Sequence, residues 1–283
     1  MSPSLNPGIR LPHGAFALLR DLVHKRTGLY FGDAKSGMFL DKLLPLVAER
    51  GFDSLLDYYY LLKYDPGSAD EWRKLFEALT VQESFFWREM DQIRALVNEI
   101  VPQYFKAHPL DTLNIWSAAC AAGEEPLTIA MALDEAGWFD RARIEIYASD
   151  ASPRAVEAAR NGVYRERSFR SLPPGLREKY FVGAEAGGLW QAASELHSRV
   201  HWRIANLTSE TDVAFAAMTS PVVFCRNVLI YFSESAARKT VRVFGERMPR
   251  PGYLFVGTAE SLLKITSDFE LREIGGAFVY SRS

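Results

Sequence analysis

Cysteine is scarce in this sequence, and its scarcity excludes a disulfide-stapled scaffold. Only Cys120 and Cys225 occur among 283 residues, and two unpaired thiols in a chain of this length indicate a reducing compartment. Neither cysteine has a cysteine or histidine partner at metal-ligand spacing, and the five histidines are scattered along the chain. We therefore predict no metal site and no required histidine.

Long apolar runs are also missing. The longest runs are strand-sized, far below the roughly 20 residues that a membrane-spanning helix needs, so we predict no direct membrane insertion. The segment Met1–Arg10 lacks a basic stretch followed by an apolar run; no signal peptide is predicted, and we expect a cytoplasmic protein. The formal net charge is −2, and without a basic excess no nucleic-acid partner is expected.

What the sequence does contain begins with a helical block. Apolar residues recur at helical spacing in four segments of residues 1–78, and Gly28 and Gly51 stand where two of the helices should end. We predict a small all-α domain there. Residues 79–110 follow as a connecting segment that includes one further helix.

Residues 111–283 show a different pattern, in which strand-like and helix-like segments alternate. Such alternation is typical of a mostly parallel sheet with helices on both faces. Ser152 with Pro153 marks the start of one of these helices, and Gly162 its end. The turn-rich residues 180–206 break the alternation, and we predict a small antiparallel β insertion there. The fold class is therefore α/β, preceded by the all-α domain.

The first candidate site is the turn after the first predicted strand of this region. Small residues dominate the run Trp116–Gly123, which lets the backbone approach a ligand closely. The run lacks the G-x-G-x-x-G pattern, so a dinucleotide is not expected. Glu124 and Glu125 follow. In one interpretation they only complement the dipole of the next helix; in the other, a carboxylate faces a cationic ligand.

Polar residues follow two other predicted strands. Asp150 comes just after the second strand, where a carboxylate can accept hydrogen bonds from ribose hydroxyls; a turn or capping role is the alternative. Arg226 and Asn227 directly follow the apolar strand Val222–Phe224. Tyr231 either reaches this pocket with its hydroxyl or packs in the core. Because ligands of open α/β sheets bind at the carboxyl ends of strands, these residues are the strongest site candidates.

Six segments together form a pattern that extends over nearly the whole chain. They are Leu79–Arg88, Trp116–Ala118 with Gly123–Pro126, Asp150, Asn206-Leu207, Phe224–Phe232 and Gly252–Leu262. In this order and spacing they resemble the CheR family of chemotaxis receptor glutamate methyltransferases. The combination is specific, whereas no single segment is.

The resemblance implies a Rossmann-like methyltransferase domain with S-adenosylmethionine as cofactor and S-adenosylhomocysteine as product. By position, the implied cofactor-binding residues are Gln82, Ser84, Arg88, Glu125, Asp150, Asn206, Leu207, Arg226 and Asn227. Arg88 and Tyr231 are the implied catalytic residues. The chain departs from the family at Gln82 and Ser84, where asparagine and threonine are usual, and at Ala119, which replaces a frequent glycine.

The implied reaction suits these residue types. A substrate glutamate has a pKa near 4.3, about that of a model peptide, so it is ionised at neutral pH and needs no general base. Alignment is then the main task, and good alignment can supply roughly 7–11 kcal/mol of the barrier. We expect Arg88 to orient the substrate carboxylate through paired hydrogen bonds and Tyr231 to hold its second oxygen.

The implied partners are the cytoplasmic domains of methyl-accepting chemotaxis receptors. Residues 154–179 carry more basic than acidic side chains, and this excess either faces an acidic receptor or is a solvated face. Two other functions stay open: a catalytically weak, cofactor-binding signalling module, and a methyltransferase that acts on a non-receptor substrate.

Overall fold

The structure is a computed structural model that describes residues 9–12, 14–80, 84–183 and 188–283. It divides into two compact units. One comprises Met1–Val81 with Tyr231–Ala236, and the other Gln82–Ile230 with Ala237–Ser283. Within the described ranges, no helix combines the length and the apolar character that crossing a membrane requires.

The first unit is helical, and its four predicted helices are confirmed. They are α1 Ala15–Thr27, α2 Ser36–Glu49, α3 Leu55–Tyr64 and α4 Ala69–Leu79. Gly28 ends α1 in the left-handed conformation, with φ 75°, which a residue without a side chain adopts at little cost. Ser54 begins α3, its side chain accepting a hydrogen bond from the N–H of Leu56.

Apolar side chains from all four helices form the core of this unit. The fully buried residues include Leu19, Phe39, Leu43, Tyr58 and Leu75. One carboxylate is buried beside them: Glu71 is 1% exposed and accepts hydrogen bonds from the Tyr58 hydroxyl at 2.8 Å and the Arg50 guanidinium at 2.5 Å. A buried carboxylate is tolerated here because both of its oxygens have donors.

The second unit contains the predicted α/β architecture. Its strands are β1 Thr112–Ala118, β2 Arg143–Asp150, β3 Val163–Arg165, β4 Phe181–Gly183, β5 Leu189–Ala192, β6 Val200–Ile204, β7 Val222–Phe224, β8 Gly252–Phe255, β9 Glu270–Ile274 and β10 Ala277–Arg282. Its helices are α5 Met90–Ala95, α6 Val101–Ala107, α7 Glu124–Glu135, α8 Pro153–Asn161, α9 Pro174–Tyr180, α10 Ser194–His197, α11 Glu210–Ala217 and α12 Glu234–Arg247, the last belonging to this unit from Ala237 onward.

Seven strands form the main sheet in the order β6-β2-β1-β7-β8-β10-β9. The first five are parallel to one another, and the hairpin of β9 and β10 is antiparallel. The chain builds outward from β1 through β2 to β6, then returns to place β7 on the other side of β1. This reversal is the switch point at which open α/β sheets bind their ligands.

The predicted antiparallel insertion exists, but its composition differs from the prediction. The small sheet has the order β3-β5-β4 and therefore includes Val163–Arg165, which lies before the predicted range 180–206. Within that range, Val200–Ile204 instead pairs in parallel with β2 as an edge of the main sheet. Only Val200 is buried in this edge strand, so its sequence pattern is the same as that of an exposed hairpin strand. Its pairing with the distant strand β2 is what makes it part of the main sheet.

Candidate active site

The candidate site lies where the carboxyl ends of the parallel strands converge. Five predicted site residues directly follow or end these strands: Asp150 ends β2, Asn206 and Leu207 follow β6, and Arg226 and Asn227 follow β7. Glu125 stands in the first turn of α7, beyond β1. Parallel strands present their carboxyl ends at one edge, so segments far apart in sequence reach one region.

Asp150 joins the end of β2 to the turn after β1. Its Oδ2 accepts the backbone N–H of Ala121 at 3.0 Å, and its Oδ1 accepts that of Ser152 at 2.9 Å. Burial raises the pKa of Asp150, while these backbone hydrogen bonds oppose the rise. The Ala151 N–H is a third backbone donor, and since an ionised carboxylate has about four acceptor positions, about one remains for a ligand.

Glu125 is a second carboxylate at this edge, and it is held from two sides. The Ser117 hydroxyl donates to its Oε1 at 2.7 Å, and Arg226 pairs with its Oε2 at 3.3 Å. Burial raises the pKa of Glu125, and the charge of Arg226 opposes that rise. The side chain keeps 17% of its surface exposed, and each carboxylate oxygen has one protein partner.

Arg226 is the centre of a buried ion network. Its side chain is only 2% exposed, and it pairs with Glu89 at 3.1 Å as well as with Glu125. It also donates to the backbone carbonyl of Arg88 at 3.0 Å. Sequence reasoning missed Glu89 altogether, since nothing local marks it as the partner of a residue 137 positions later. The network ties the segment around Arg88 to the strand ends.

Ser84 and Glu124 form another link between this segment and the sheet. Glu124 is 4% exposed, and its carboxylate accepts hydrogen bonds from the side chains of Ser84 and Ser168, the latter at 3.1 Å. Burial raises the pKa of Glu124. The backbone N–H of Phe86 donates to the Ser168 carbonyl at 2.9 Å. Of the two glutamates, Glu124 is buried against protein donors, and Glu125 is the one whose side chain is partly exposed.

An aromatic cluster anchors the same segment. The ring of Phe86 is fully buried, and its centroid lies 4.8 Å from Tyr164, 5.2 Å from Phe169 and 4.8 Å from Phe181. Tyr164 belongs to β3 and Phe181 to β4, so the small sheet packs against this segment. Aromatic pairs at these separations stabilise by about 0.5–1.5 kcal/mol each beyond their buried area.

The loop after β6 is ordered by its own side chains. Asn206 Oδ1 accepts hydrogen bonds from the N–H and the hydroxyl of Thr208, both at 2.9 Å, and the Asn206 N–H donates to Asp212 at 3.0 Å. Leu207 is 6% exposed, and its carbonyl accepts the Thr240 hydroxyl at 2.8 Å. This wall of the site is therefore built of one apolar and one amide side chain in a fixed turn.

Backbone strain is concentrated in these same segments. Among the described residues, the non-glycine residues with positive φ are Trp87, Glu89, Ala119, Ala121 and Asn227, with φ between 49° and 69°. All five lie in segments described above, after β1, after β7 or next to Arg88. Residues with side chains adopt this region rarely, and strained residues cluster at functional sites. The resemblance noted in the sequence implies a frequent glycine at the position of Ala119, and the φ of 59° there is one that glycine adopts at less cost.

Comparison with known proteins decides the family. The model described as "CheR methyltransferase, SAM binding domain" matches residues 82–277, and the one described as "CheR methyltransferase, all-alpha domain" matches residues 14–80. The chain belongs to the CheR methyltransferase family. It is an S-adenosylmethionine-dependent methyltransferase, which confirms the predicted enzyme class, cofactor and fold class.

The sequences of several known proteins are similar to this CheR-family chain over most of its length. Chemotaxis protein methyltransferase 2 of Vibrio cholerae is 34% identical over 261 residues, covering 91% of this chain and 88% of the relative. Chemotaxis protein methyltransferase 1 of Pseudomonas aeruginosa is 30% identical and covers 94% and 96%. The Escherichia coli chemotaxis protein methyltransferase is 28% identical and covers 97% and 93%.

The geometry of the CheR site fits S-adenosylmethionine. The cofactor has ribose hydroxyls, which donate to carboxylates, and an ammonium group, which needs a negative partner. Asp150 and Glu125 supply one carboxylate each, and both are partly engaged by protein donors yet keep free acceptor positions. The structure therefore contains a carboxylate at the end of β2 and another in the first turn of α7, one for each of these two cofactor groups.

Two predicted site residues stand apart from this description. Gln82 lies outside the described residues. Tyr231 ends the short helical turn Leu229–Tyr231 and groups with the helical unit, where its backbone carbonyl accepts the N–H of Tyr30 at 2.9 Å. Its side chain packs, partly buried, against the core of that unit. The catalytic role of Tyr231 stays a prediction.

Proposed function

We propose that this CheR-family enzyme transfers the methyl group of S-adenosylmethionine to glutamate side chains of methyl-accepting chemotaxis receptors. The products are glutamate methyl esters and S-adenosylhomocysteine. Relatives named chemotaxis protein methyltransferases, 28–34% identical over more than nine tenths of the chain, support this substrate class. Since the reacting glutamates lie on cytoplasmic receptor domains, we place the enzyme in the cytoplasm.

The observation that carries the proposal is the pair of carboxylates, Asp150 at the end of β2 and Glu125 in the first turn of α7. Asp150 would hold the ribose hydroxyls of the cofactor, and Glu125 its ammonium group. Asn206, Leu207 and Asn227 would line the remaining walls. The cofactor supplies a methyl group on a positively charged sulfur, and the chain's residues supply position and charge around it.

Arg88 is the residue proposed to meet the substrate. Its side chain is 33% exposed, and its Nε lies 3.6 Å from Glu89 Oε1. It also lies over the ring of Phe85, at 5.4 Å from the ring centroid. Glu89 and the ring of Phe85 position the Arg88 guanidinium, which is still accessible to solvent. Such a group is suited to orienting an incoming glutamate carboxylate. Tyr231 is proposed to hold the second oxygen of that carboxylate.

Ser84 and Arg226 are proposed to act mainly through their neighbours. Ser84 pairs with Glu124, and Arg226 pairs with Glu89 and Glu125. Both were predicted to contact the cofactor directly. The contacts described here support a role in holding the segment around Arg88 and the carboxylate of Glu125 in place.

The direct test is methyl transfer to a purified receptor cytoplasmic domain, with methyl-labelled S-adenosylmethionine. We expect label on the receptor that is released by mild base, as an ester requires, and none when the receptor glutamates are replaced by alanine. Binding of S-adenosylhomocysteine without any turnover would instead identify a cofactor-binding signalling module. Label on non-receptor protein alone would contradict the proposed substrate.

A further inference from the structure

Glu260, which is not among the predicted site residues, hydrogen-bonds to the loops that follow the neighbouring strands β7 and β8. Glu260 Oε2 accepts the backbone N–H groups of Asn227 and Gly257, both at 2.7 Å, and its Oε1 accepts that of Ile230 at 3.2 Å. The Leu229 N–H is a fourth donor, so four backbone N–H groups, three after β7 and one after β8, share this one side-chain acceptor. Hydrogen bonds from N–H groups to an ionised acceptor are the stronger kind.

Asn227 is one of the two residues held at 2.7 Å, and its backbone conformation is an uncommon one. Its φ of 57° lies in the left-handed region, which asparagine enters more readily than other residues with a side chain but less readily than glycine. Such a conformation persists only where its surroundings impose it. The hydrogen bond from the Asn227 N–H to Glu260 is one such restraint, and it acts on the backbone that sets the direction of the Asn227 side chain.

Gly257 packs directly against Asn227, and this contact is possible because glycine has no side chain. A Cβ atom at this position would stand 2.2 Å from Asn227 Nδ2, closer than real contacts come, and 3.0 Å from Asn227 N, tighter than most. The bare α-carbon therefore lets the loop after β8 lie directly against Asn227. Glu260 fixes that loop at the same time, because it accepts the Gly257 N–H as well.

We propose that Glu260, with Gly257, is a positioning residue that holds Asn227 in the conformation needed to contact the cofactor. The inference rests on the proposed placement of Asn227 in the cofactor site. Glu260 acts through Asn227 and does not itself touch the cofactor. The chemistry requires a carboxylate, because both oxygens must accept hydrogen bonds.

Glutamine at this position tests that requirement with nearly unchanged shape. It has one acceptor oxygen, which can serve Asn227 and Gly257, and an NH₂ group that opposes the N–H of Ile230. In the full chain, we expect Glu260→Gln to weaken S-adenosylhomocysteine binding about 3- to 10-fold and Glu260→Ala about 10- to 100-fold, measured by calorimetry. Thermal unfolding followed by circular dichroism establishes that each variant is folded.

A double-mutant cycle separates positioning from general stabilisation. If Glu260 acts through Asn227, then Glu260→Gln adds little once the side chain is removed by Asn227→Ala, and the two effects are strongly non-additive. Additive effects on the dissociation constant would overturn the inference. So would a Glu260→Gln variant that binds as tightly as the wild type.

Glu71→Gln is the matched control, because Glu71 is a buried carboxylate in the helical unit with its own donors, Tyr58 and Arg50. We expect it to lower the unfolding temperature and leave the dissociation constant unchanged. Binding by the wild type distinguishes a failure of the proposed cofactor site from a failure of the Glu260 positioning role alone. A wild type that fails to bind S-adenosylhomocysteine removes the cofactor site and this inference together, whereas unaffected binding by the Glu260 variants removes this inference alone.

Discussion

Asp150 at the end of β2 accepts the backbone N–H of Ala121 at 3.0 Å, and this bond joins the turns that follow two neighbouring parallel strands. Ala121 itself has a positive φ of 49°, so the carboxylate restrains a residue in an uncommon backbone conformation. One side chain thus shapes the turn after β1 and supplies the proposed ribose contact.

Replacing Asp150 by asparagine should weaken S-adenosylhomocysteine binding about 10- to 100-fold. The amide that replaces one oxygen cannot accept hydrogen bonds, and hydrogen bonds to charged groups contribute about 1.5–3 kcal/mol each. Calorimetric titration measures the change. Asp53→Asn, which alters an exposed carboxylate paired with Arg10, should bind like the wild type; equal affinity in both variants would rule out the ribose contact.

Removal of the Arg226 charge should destabilise the fold by about 3–5 kcal/mol, since Arg226→Met leaves Glu89 and Glu125 without their buried partner. Chemical denaturation gives the free energy of unfolding. Adding Glu89→Gln and Glu125→Gln should recover much of the loss without restoring cofactor binding. Arg73→Met, at an exposed ion pair, should change stability by no more than about 1 kcal/mol, and a similar loss there would argue against the buried network.

Ala119→Gly should stabilise the protein by roughly 0.5–1 kcal/mol. A left-handed conformation costs an alanine about 1–2 kcal/mol, whereas glycine adds about 0.5–1 kcal/mol through its flexible unfolded chain. The matched control is Ala122→Gly, at a position absent from the positive-φ residues of the same turn, which should lose stability. Thermal unfolding compares the two, and a loss in both would show that strain at Ala119 is relieved elsewhere.

Acidification should weaken cofactor binding before it unfolds the protein. Burial raises the pKa values of Asp150 and Glu125, so both protonate in the folded state at a pH above the usual range of about 3.9–4.3. An acid with a raised folded-state pKa binds more protons folded than unfolded. Its protonation therefore stabilises the fold below the unfolded pKa, and this contribution is lost as pH rises through the folded pKa.

The measurement is a pH series of S-adenosylhomocysteine affinity beside thermal unfolding. As the pH is lowered from the raised pKa to the usual pKa, the affinity for S-adenosylhomocysteine should fall. Over the same range the thermal stability of the wild type should rise relative to that of Asp150→Asn. Loss of affinity only where the protein unfolds would contradict the assigned titration.

Tyr231→Phe should slow methyl transfer about 10- to 100-fold and leave S-adenosylhomocysteine affinity unchanged. The expected loss corresponds to one hydrogen bond to a charged substrate oxygen, made where the reaction occurs. Turnover with a receptor domain and calorimetry give the two numbers. Tyr60→Phe, at a tyrosine that is 54% exposed, is the control, and full activity of Tyr231→Phe would leave Tyr231 with its packing role alone.

Much of the fold could be predicted because its signals are local. The helix ends at Gly28 and Gly162, the Ser152 cap and the apolar strand before Arg226 each involve a few neighbouring residues, and the structure places them as expected. Other elements gave weak signals. Helix α11 and the edge strand β9 were not predicted; β9 is exposed along most of its length, so it lacks the buried-face pattern that identifies a strand.

The sequence by itself determined the order of the polar residues that follow the strands, and with it the family and the cofactor. Only the tertiary structure decided which of those residues act on one another. Glu260 contacts Asn227 because the parallel strands β7 and β8 bring their carboxyl ends to one edge, and Glu89 contacts Arg226 from a segment that precedes the first strand. The tertiary structure also decided that β3 pairs with β5 and β6 with β2. Strand partners are set by contacts between residues far apart in sequence, and the local pattern of exposed and buried residues does not predict them.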